Sequence, residues 1–144
     1  MKPLKPFSDF LKDGIAKRQS ADKERAKSLV EESSGAYNFL MEISDKIGIN
    51  DSNANYIVKN SYDIIMELIR AKMLAAGFNA SGSHAHEAEV SYLREINFSE
   101  SDVQFVNTLR YFRNGITYYG KKLDKEYAER VIDFLKKIFP LLKK

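Results

Sequence analysis

Apolar residues in this chain recur at three- and four-residue intervals along most of its length, the spacing of helices that each bury one face. Phe7, Phe10, Leu11 and Ile15 give a short helix its apolar side, with Ser8 as its expected cap, after an extended arm that contains Pro3 and Pro6. The polar run Lys17–Lys23 offers no core face. From Glu24, the series Ala26, Leu29, Val30, Ser33, Tyr37, Leu40, Met41, Ser44 and Ile47 predicts a long helix that Gly48 closes. Gly35 inside it costs about 1 kcal/mol relative to alanine, which close approach of a neighbouring helix would explain. The next helix starts at Asp51 or Ser52 and runs to Ala76, with Gly77 as its stop. It carries one stripe of Ile57, Ile64, Leu68 and Ala71 and an adjoining one of Val58, Ile65 and Ile69, so it belongs at the centre, packed on two sides.

Residues 78–83 (FNASGS) read as a loop by composition. A shorter helix over His84–Glu95 follows, and Ser99-Glu100-Ser101-Asp102 resembles a capping box before the next long one. In that helix Phe105, Leu109, Phe112, Ile116 and Tyr119 fall on one face. Arg110 and Arg113 share a neighbouring face. Gly120-Lys121-Lys122 makes a turn, and the last helix starts near Asp124, buries Ala128, Val131, Ile132, Leu135, Ile138 and Phe139, and is ended or kinked by Pro140. No alternating strand pattern exceeds four residues. The expected fold is all-α, an antiparallel bundle of about five main helices, with residues 1–20 as an arm and short helix and 21–144 as the bundle.

Length and composition agree with one globular domain: 144 residues, 44% hydrophobic and 30% charged, enough to bury roughly 68–70% of the unfolded surface. No apolar run approaches the ~20 residues of a membrane span, and the N-terminus lacks the apolar core of a signal peptide, so a cytoplasmic protein with no membrane partner is expected. With no cysteine, disulfides, thiolate metal sites and cysteine nucleophiles are excluded. The net charge of +3 is mild but unevenly spread: residues 1–30 and 121–144 each hold eight Lys/Arg against four Asp/Glu, whereas 31–104 hold five against twelve. That asymmetry either steers an anionic partner or reflects solvated faces and paired subunits.

Walker, dinucleotide-fold, zincin and nucleophile-elbow motifs are absent, and nothing calls for a cofactor. His84 and His86 stand at i, i+2 without an evident third ligand, which argues against a metal site. The sharper candidate is Arg110 with Arg113-Asn114. Arginine offers a planar fork of donors to phosphate oxygens. Asn114 is suited to orient a phosphate or ribose hydroxyl, Gly115 to close approach, and Tyr118 and Tyr119 to stacking on a base. The plain alternative is that these arginines pair with acids of the middle segment and the aromatics fill core.

Ser61-Tyr62-Asp63-Ile64-Ile65 through Lys72-Met73-Leu74-Ala75-Ala76-Gly77-Phe78, then Ser81-Gly82-Ser83-His84, then Arg113-Asn114, in that order, resemble the HEPN superfamily of prokaryotic helical domains. The resemblance spans about residues 24 to 140. It implies a four- or five-helix bundle, commonly a homodimer with the two arginine-bearing helices facing across a cleft. Many members are metal-independent endoribonucleases acting as toxins or in defence, and others work with a small nucleotidyltransferase, in toxin-antitoxin pairs or as its substrate-binding subunit. By that resemblance Arg113 would contact phosphate and Asn114 orient it. The family's histidine after the Arg-Asn pair is replaced here by Tyr118 and Tyr119, and a phenol with a pKa near 10 is a poor base at neutral pH. The leading expectation is therefore a dimeric nucleotide- or RNA-binding module with a nucleotidyltransferase partner. Its site would use Arg110, Arg113, Asn114, Tyr118, Tyr119 and His84. A ribonuclease, with His84 or a tyrosine handling protons, is the first alternative, and a structural helical dimer without ligand is the second.

Overall fold

The computed structural model describes residues 2–144. Six α-helices and one two-stranded ribbon follow in the order α1 (Phe7–Lys12), β1 (Ala16–Arg18), α2 (Lys23–Lys46), α3 (Ala54–Ala76), β2 (Phe78–Ala80), α4 (Ala85–Ser91), α5 (Glu100–Tyr119) and α6 (Lys125–Lys143). A 3₁₀ turn over Tyr92–Ile96 continues α4, so the expected single helix to Glu95 changes pitch at its midpoint. The fold is an all-α bundle, as the spacing predicted.

α3 is its axis. It packs against α2, α4, α5 and α6, and Ile57, Val58, Ile64, Ile65, Leu68 and Ile69 are all at most 2% exposed. Two adjoining apolar stripes leave such a helix only a narrow solvent-facing line, through Tyr56, Asn60, Asp63 and Glu67. α6 lays Val131, Leu135 and Ile138 on it. Asp124 caps α6 by accepting from the Tyr127 N–H at 2.9 Å, and Asp51 accepts from the Lys125 N–H at 2.8 Å. Pro140 neither ends this helix nor interrupts its burial, because the Lys136 carbonyl it leaves unbonded lies on the exposed face, within reach of water.

Other expectations change at element ends. Pro6, not Ser8, precedes α1, and no side chain caps it. α3 starts at Ala54, because Asp51 serves α6 while Asn50 and Asn53 bond each other's backbone N–H at 2.9 Å. Ser99 does cap α5, but the Asp102 carboxylate turns to Lys137 at 2.9 Å rather than back to the cap, so the reciprocal half of the capping box is missing. Gly35 faces open space, with nothing within 4 Å of where a Cβ would stand, so no helix approaches it.

The largest departure is the ribbon. β1 and β2 pair antiparallel with Ala16 opposite Ala80 and Arg18 opposite Phe78, where the sequence showed a polar run and a loop. Its cause lies at the end of α3. Gly77 takes a left-handed conformation (φ 87°) and reverses the chain, and the incoming segment supplies the donors that the terminal carbonyls of a helix lack. The Asp22 N–H reaches the Leu74 carbonyl and the Gln19 N–H the Gly77 carbonyl, each at 2.9 Å. The arm is equally bound in: Leu4, Phe7 and Phe10 join the main core, and Phe7 meets the rings of Phe78 and Tyr92 edge-on at 5.4 and 5.0 Å. Among the described residues, no helix is long and apolar enough to cross a membrane.

Candidate functional site

α5 is firmly packed only in its first half. Val103, Val106 and Leu109 are fully buried, Phe105 stacks on Phe134 at 4.1 Å, and Phe112 meets Tyr127 edge-on at 5.2 Å. Beyond Ile116 the helix outruns the bundle. Tyr118 is 74% and Tyr119 86% exposed, so Tyr119 does not continue the buried stripe. Gly115 admits the Lys121 side chain, 3.4 Å from a would-be Cβ, rather than a second helix.

Successive helical residues turn by about 100°, so Arg110, Asn114 and Tyr118, four apart, share one line along α5. That line faces the start of α4. Together with residues 82–87 it encloses a groove of about 330 Å³, lined among others by His84, His86 and Glu87. Arg113 points elsewhere, its Nη1 donating to Thr117 Oγ1 at 2.9 Å and its Nε 3.6 Å from Asp63 on α3. The structure thus brings together His84, Arg110, Asn114 and Tyr118. It leaves Arg113 and Tyr119 outside that lining and splits the Arg113-Asn114 pair between two faces.

Arg110 is the groove's permanent cation. Its side chain is 15% exposed, its Nε donates to Asn107 Oδ1 at 3.0 Å, and its Nη1 stands 3.8 Å from Glu87 Oε1. The same Glu87 oxygen lies 3.1 Å from His84 Nδ1. Separations of 3.6 and 3.8 Å are too long for hydrogen bonds, so Arg110 and Arg113 each have a carboxylate nearby but no fork-to-fork clasp. This differs from an unopposed basic cleft. Each arginine faces one carboxylate at 3.6–3.8 Å, and an incoming oxyanion would compete with that loosely held group.

Behind the groove the contacts tighten. His86 Nδ1 is 2.9 Å from Glu89 Oε1, and Glu89 Oε2 accepts from Arg70 Nε at 2.7 Å. The Glu89 side chain is only 5% exposed while those of Arg70 and His86 are 37% and 59% exposed, so a buried carboxylate fixes two outer groups. Tyr62 of α3 is also buried, and its hydroxyl has no hydrogen-bond partner among the described residues. Burial pushes its phenol well above the ordinary range, the Arg110 guanidinium partly opposing that shift.

The sequence did not single out Glu89 or Arg70, and it offered His86 only as half of a histidine pair lacking a third metal ligand. A faint signal existed: Glu89 sits three residues after His86, between Ala88 and Val90 on the inward side of a short helix, where an unpaired acid would be costly. Among the described residues, no group of three or more His, Cys, Asp or Glu side chains is placed to hold a metal ion. No family model matches the chain, and no curated protein or solved structure matches it at a significant level.

Proposed function

We propose that this chain is a HEPN-like module that binds a nucleotide or RNA, with the groove between α4 and α5 receiving a phosphate. One observation carries the reading: a guanidinium, an amide, a tyrosine and two imidazoles, drawn from segments some thirty residues apart, converge on one groove of about 330 Å³. The Arg110 fork binds the oxyanion in place of Glu87, Asn114 orients it, and the exposed Tyr118 ring offers a stacking face. Arg110 thereby takes the part that the resemblance gave to Arg113. A homodimer belongs to the same proposal, its contact being the exposed Tyr111 and Tyr119 of α5, as does a small nucleotidyltransferase as partner.

The test is titration of labelled adenosine nucleotides and short RNA into wild type, Arg110→Ala, Arg110→Lys and Arg113→Ala. Losing a charge-assisted hydrogen bond of about 1.5–3 kcal/mol weakens binding by roughly 10- to 150-fold in Arg110→Ala. Arg110→Lys recovers only part of it, and Arg113→Ala changes it little. Equal affinity for wild type and a folded Arg110→Ala protein would remove the proposal, and an unchanged monomer mass in solution would remove the dimer.

The histidine–carboxylate pair favours a second reading, metal-independent RNA cleavage. Glu89 orients the His86 ring through Nδ1, leaving Nε2 for proton transfer. Cleavage in the presence of a chelator, abolished by His86→Ala, is the outcome this reading requires. Turnover no greater than in the Arg110→Ala control would eliminate it.

A further inference from the structure

On the opposite side of α3 from Asp63 and Arg70, the two basic ends of the sequence meet. Lys23 and Lys27 of α2, Lys72 of α3, and Lys143 and Lys144 at the end of α6 line one groove of about 250 Å³, and no acidic residue lines it. Lys72 Nζ donates to the Lys144 carbonyl, and Lys143 stands 5.7 Å from the Phe139 ring centroid. Among the described residues none of the five pairs with an Asp or Glu side chain.

Helix electrostatics accounts for only part of this cluster. Lys143 lies in the last turn of α6, where the macrodipole favours a cation. Lys23 and Lys27 lie in the first two turns of α2, where the macrodipole is positive and disfavours them. Apart from the Lys144 backbone oxygen that Lys72 holds, nothing in the lining opposes these charges, and an external anion relieves their repulsion.

We infer that this groove is a track for the sugar-phosphate backbone of single-stranded RNA, the choice of RNA resting on the function proposed above. Lys23 and Lys27, four residues apart, are offset by about 6 Å along α2, so they offer successive point charges to a strand rather than one clustered site. The floor is recessed: Ala26 is 6%, Ala71 4% and Leu142 1% exposed. It therefore presents none of the protruding apolar side chains that interfacial membrane binding uses. With no arginine or aromatic residue in the lining, contact is with phosphates and independent of base sequence.

The experiment compares the wild-type chain with Lys23→Gln/Lys27→Gln/Lys72→Gln and with the corresponding triple arginine variant. Each is titrated with labelled oligouridylate at about 50 and 200 mM salt, and separately with uridine monophosphate. If all five lysines contact phosphates, wild-type affinity for the oligomer falls about 100-fold between those salt concentrations, and that of the glutamine variant only about 7-fold. The arginine variant restores the wild-type slope, and monophosphate binding is the same in all three. A glutamine variant with the wild-type slope, or a wild type that does not bind oligouridylate, would overturn the inference. Binding to phosphatidylserine vesicles without binding to oligouridylate would overturn it in favour of a membrane surface. Failure of the α4–α5 groove shows separately, as monophosphate binding that Arg110→Ala leaves intact.

Discussion

Replacing Tyr62 with phenylalanine removes one oxygen from the interior of α3, and the structure predicts a more stable protein. Tyr62 is 3% exposed, and its hydroxyl has no hydrogen-bond partner among the described residues. An unsatisfied buried polar group costs about 1–3 kcal/mol, while deleting it leaves the ring and its contacts in place. After a small loss of packing, Tyr62→Phe gains about 1–2 kcal/mol, or roughly 3–6 °C in melting temperature for a chain of this size. Urea unfolding followed by far-ultraviolet circular dichroism reads this as a higher midpoint at unchanged slope. The titration gives a second signature. Burial raises the phenol above its ordinary 10.0, so the folded protein keeps a proton that the unfolded chain releases. Its stability contribution is fully present below pH 10 and is lost as pH rises beyond it, and the variant escapes that loss, widening its advantage by up to about 1.4 kcal/mol per pH unit. A variant less stable by about 1 kcal/mol or more would refute the reasoning, since it would show that the hydroxyl is satisfied in solution.

Two glycines should respond oppositely to alanine. Gly77→Ala puts a Cβ 2.7 Å from the Gln19 carbonyl oxygen at a φ of 87°, so it should cost more than about 2 kcal/mol and loosen the ribbon, read by amide exchange at Lys17 and Asn79. Gly35→Ala meets nothing and should raise stability by about 0.5–1 kcal/mol in the same unfolding assay. Arg94 donates to the Leu4 and Lys5 carbonyls and to both Glu100 oxygens. Arg94→Ala should therefore free the arm to limited proteolysis. With its hydrogen bond from Arg94 and a second from Gln104, Glu100 is held down at about 2 against 4.5 for an ordinary glutamate. Its contribution to stability is present above pH 4.5 and lost as pH falls through 2. The Arg94→Ala protein should lack that component of acid sensitivity, and an acid titration as steep as wild type would count against it.

The long helices were legible because their burial is carried by many residues at once. Along α3 the seven positions of its two stripes repeat the same spacing, and no single exception changes the outcome. The ribbon was not legible, because three residues are too few for an alternating pattern. What makes β1 a strand is a pair of helix-end carbonyls more than fifty residues away. The site fell between these cases. Composition singled out Arg110, Arg113, Asn114 and Tyr118, but a step of about 100° per residue decides which of them share a groove, and that rotation is set by Val106 and Leu109 inserting into the core. Reading the stripe through Phe112 and Ile116 toward Tyr119 placed both arginines together, whereas the bundle ends before Tyr118 and turns Arg113 to Asp63. Glu89 was hidden for another reason: a single inward-facing acid in a short helix carries no periodicity, and its partner Arg70 lies on a different element.

The bound-in N-terminal segment also imposes an order of events on synthesis. Residues 4–18 leave the ribosome well before the segments they pack against: Ala16 pairs with Ala80, Phe7 packs against Tyr92, and the Lys5 carbonyl waits for an arginine 89 positions later. The α2–α3 hairpin closes from contacts near in sequence and completes its pairing early. Until the chain has grown past Arg94, then, Leu4, Phe7 and Phe10 have no cavity to enter. A nascent chain halted before that point presents three sticky side chains with nothing to cover them, the kind of sequence that chaperones hold.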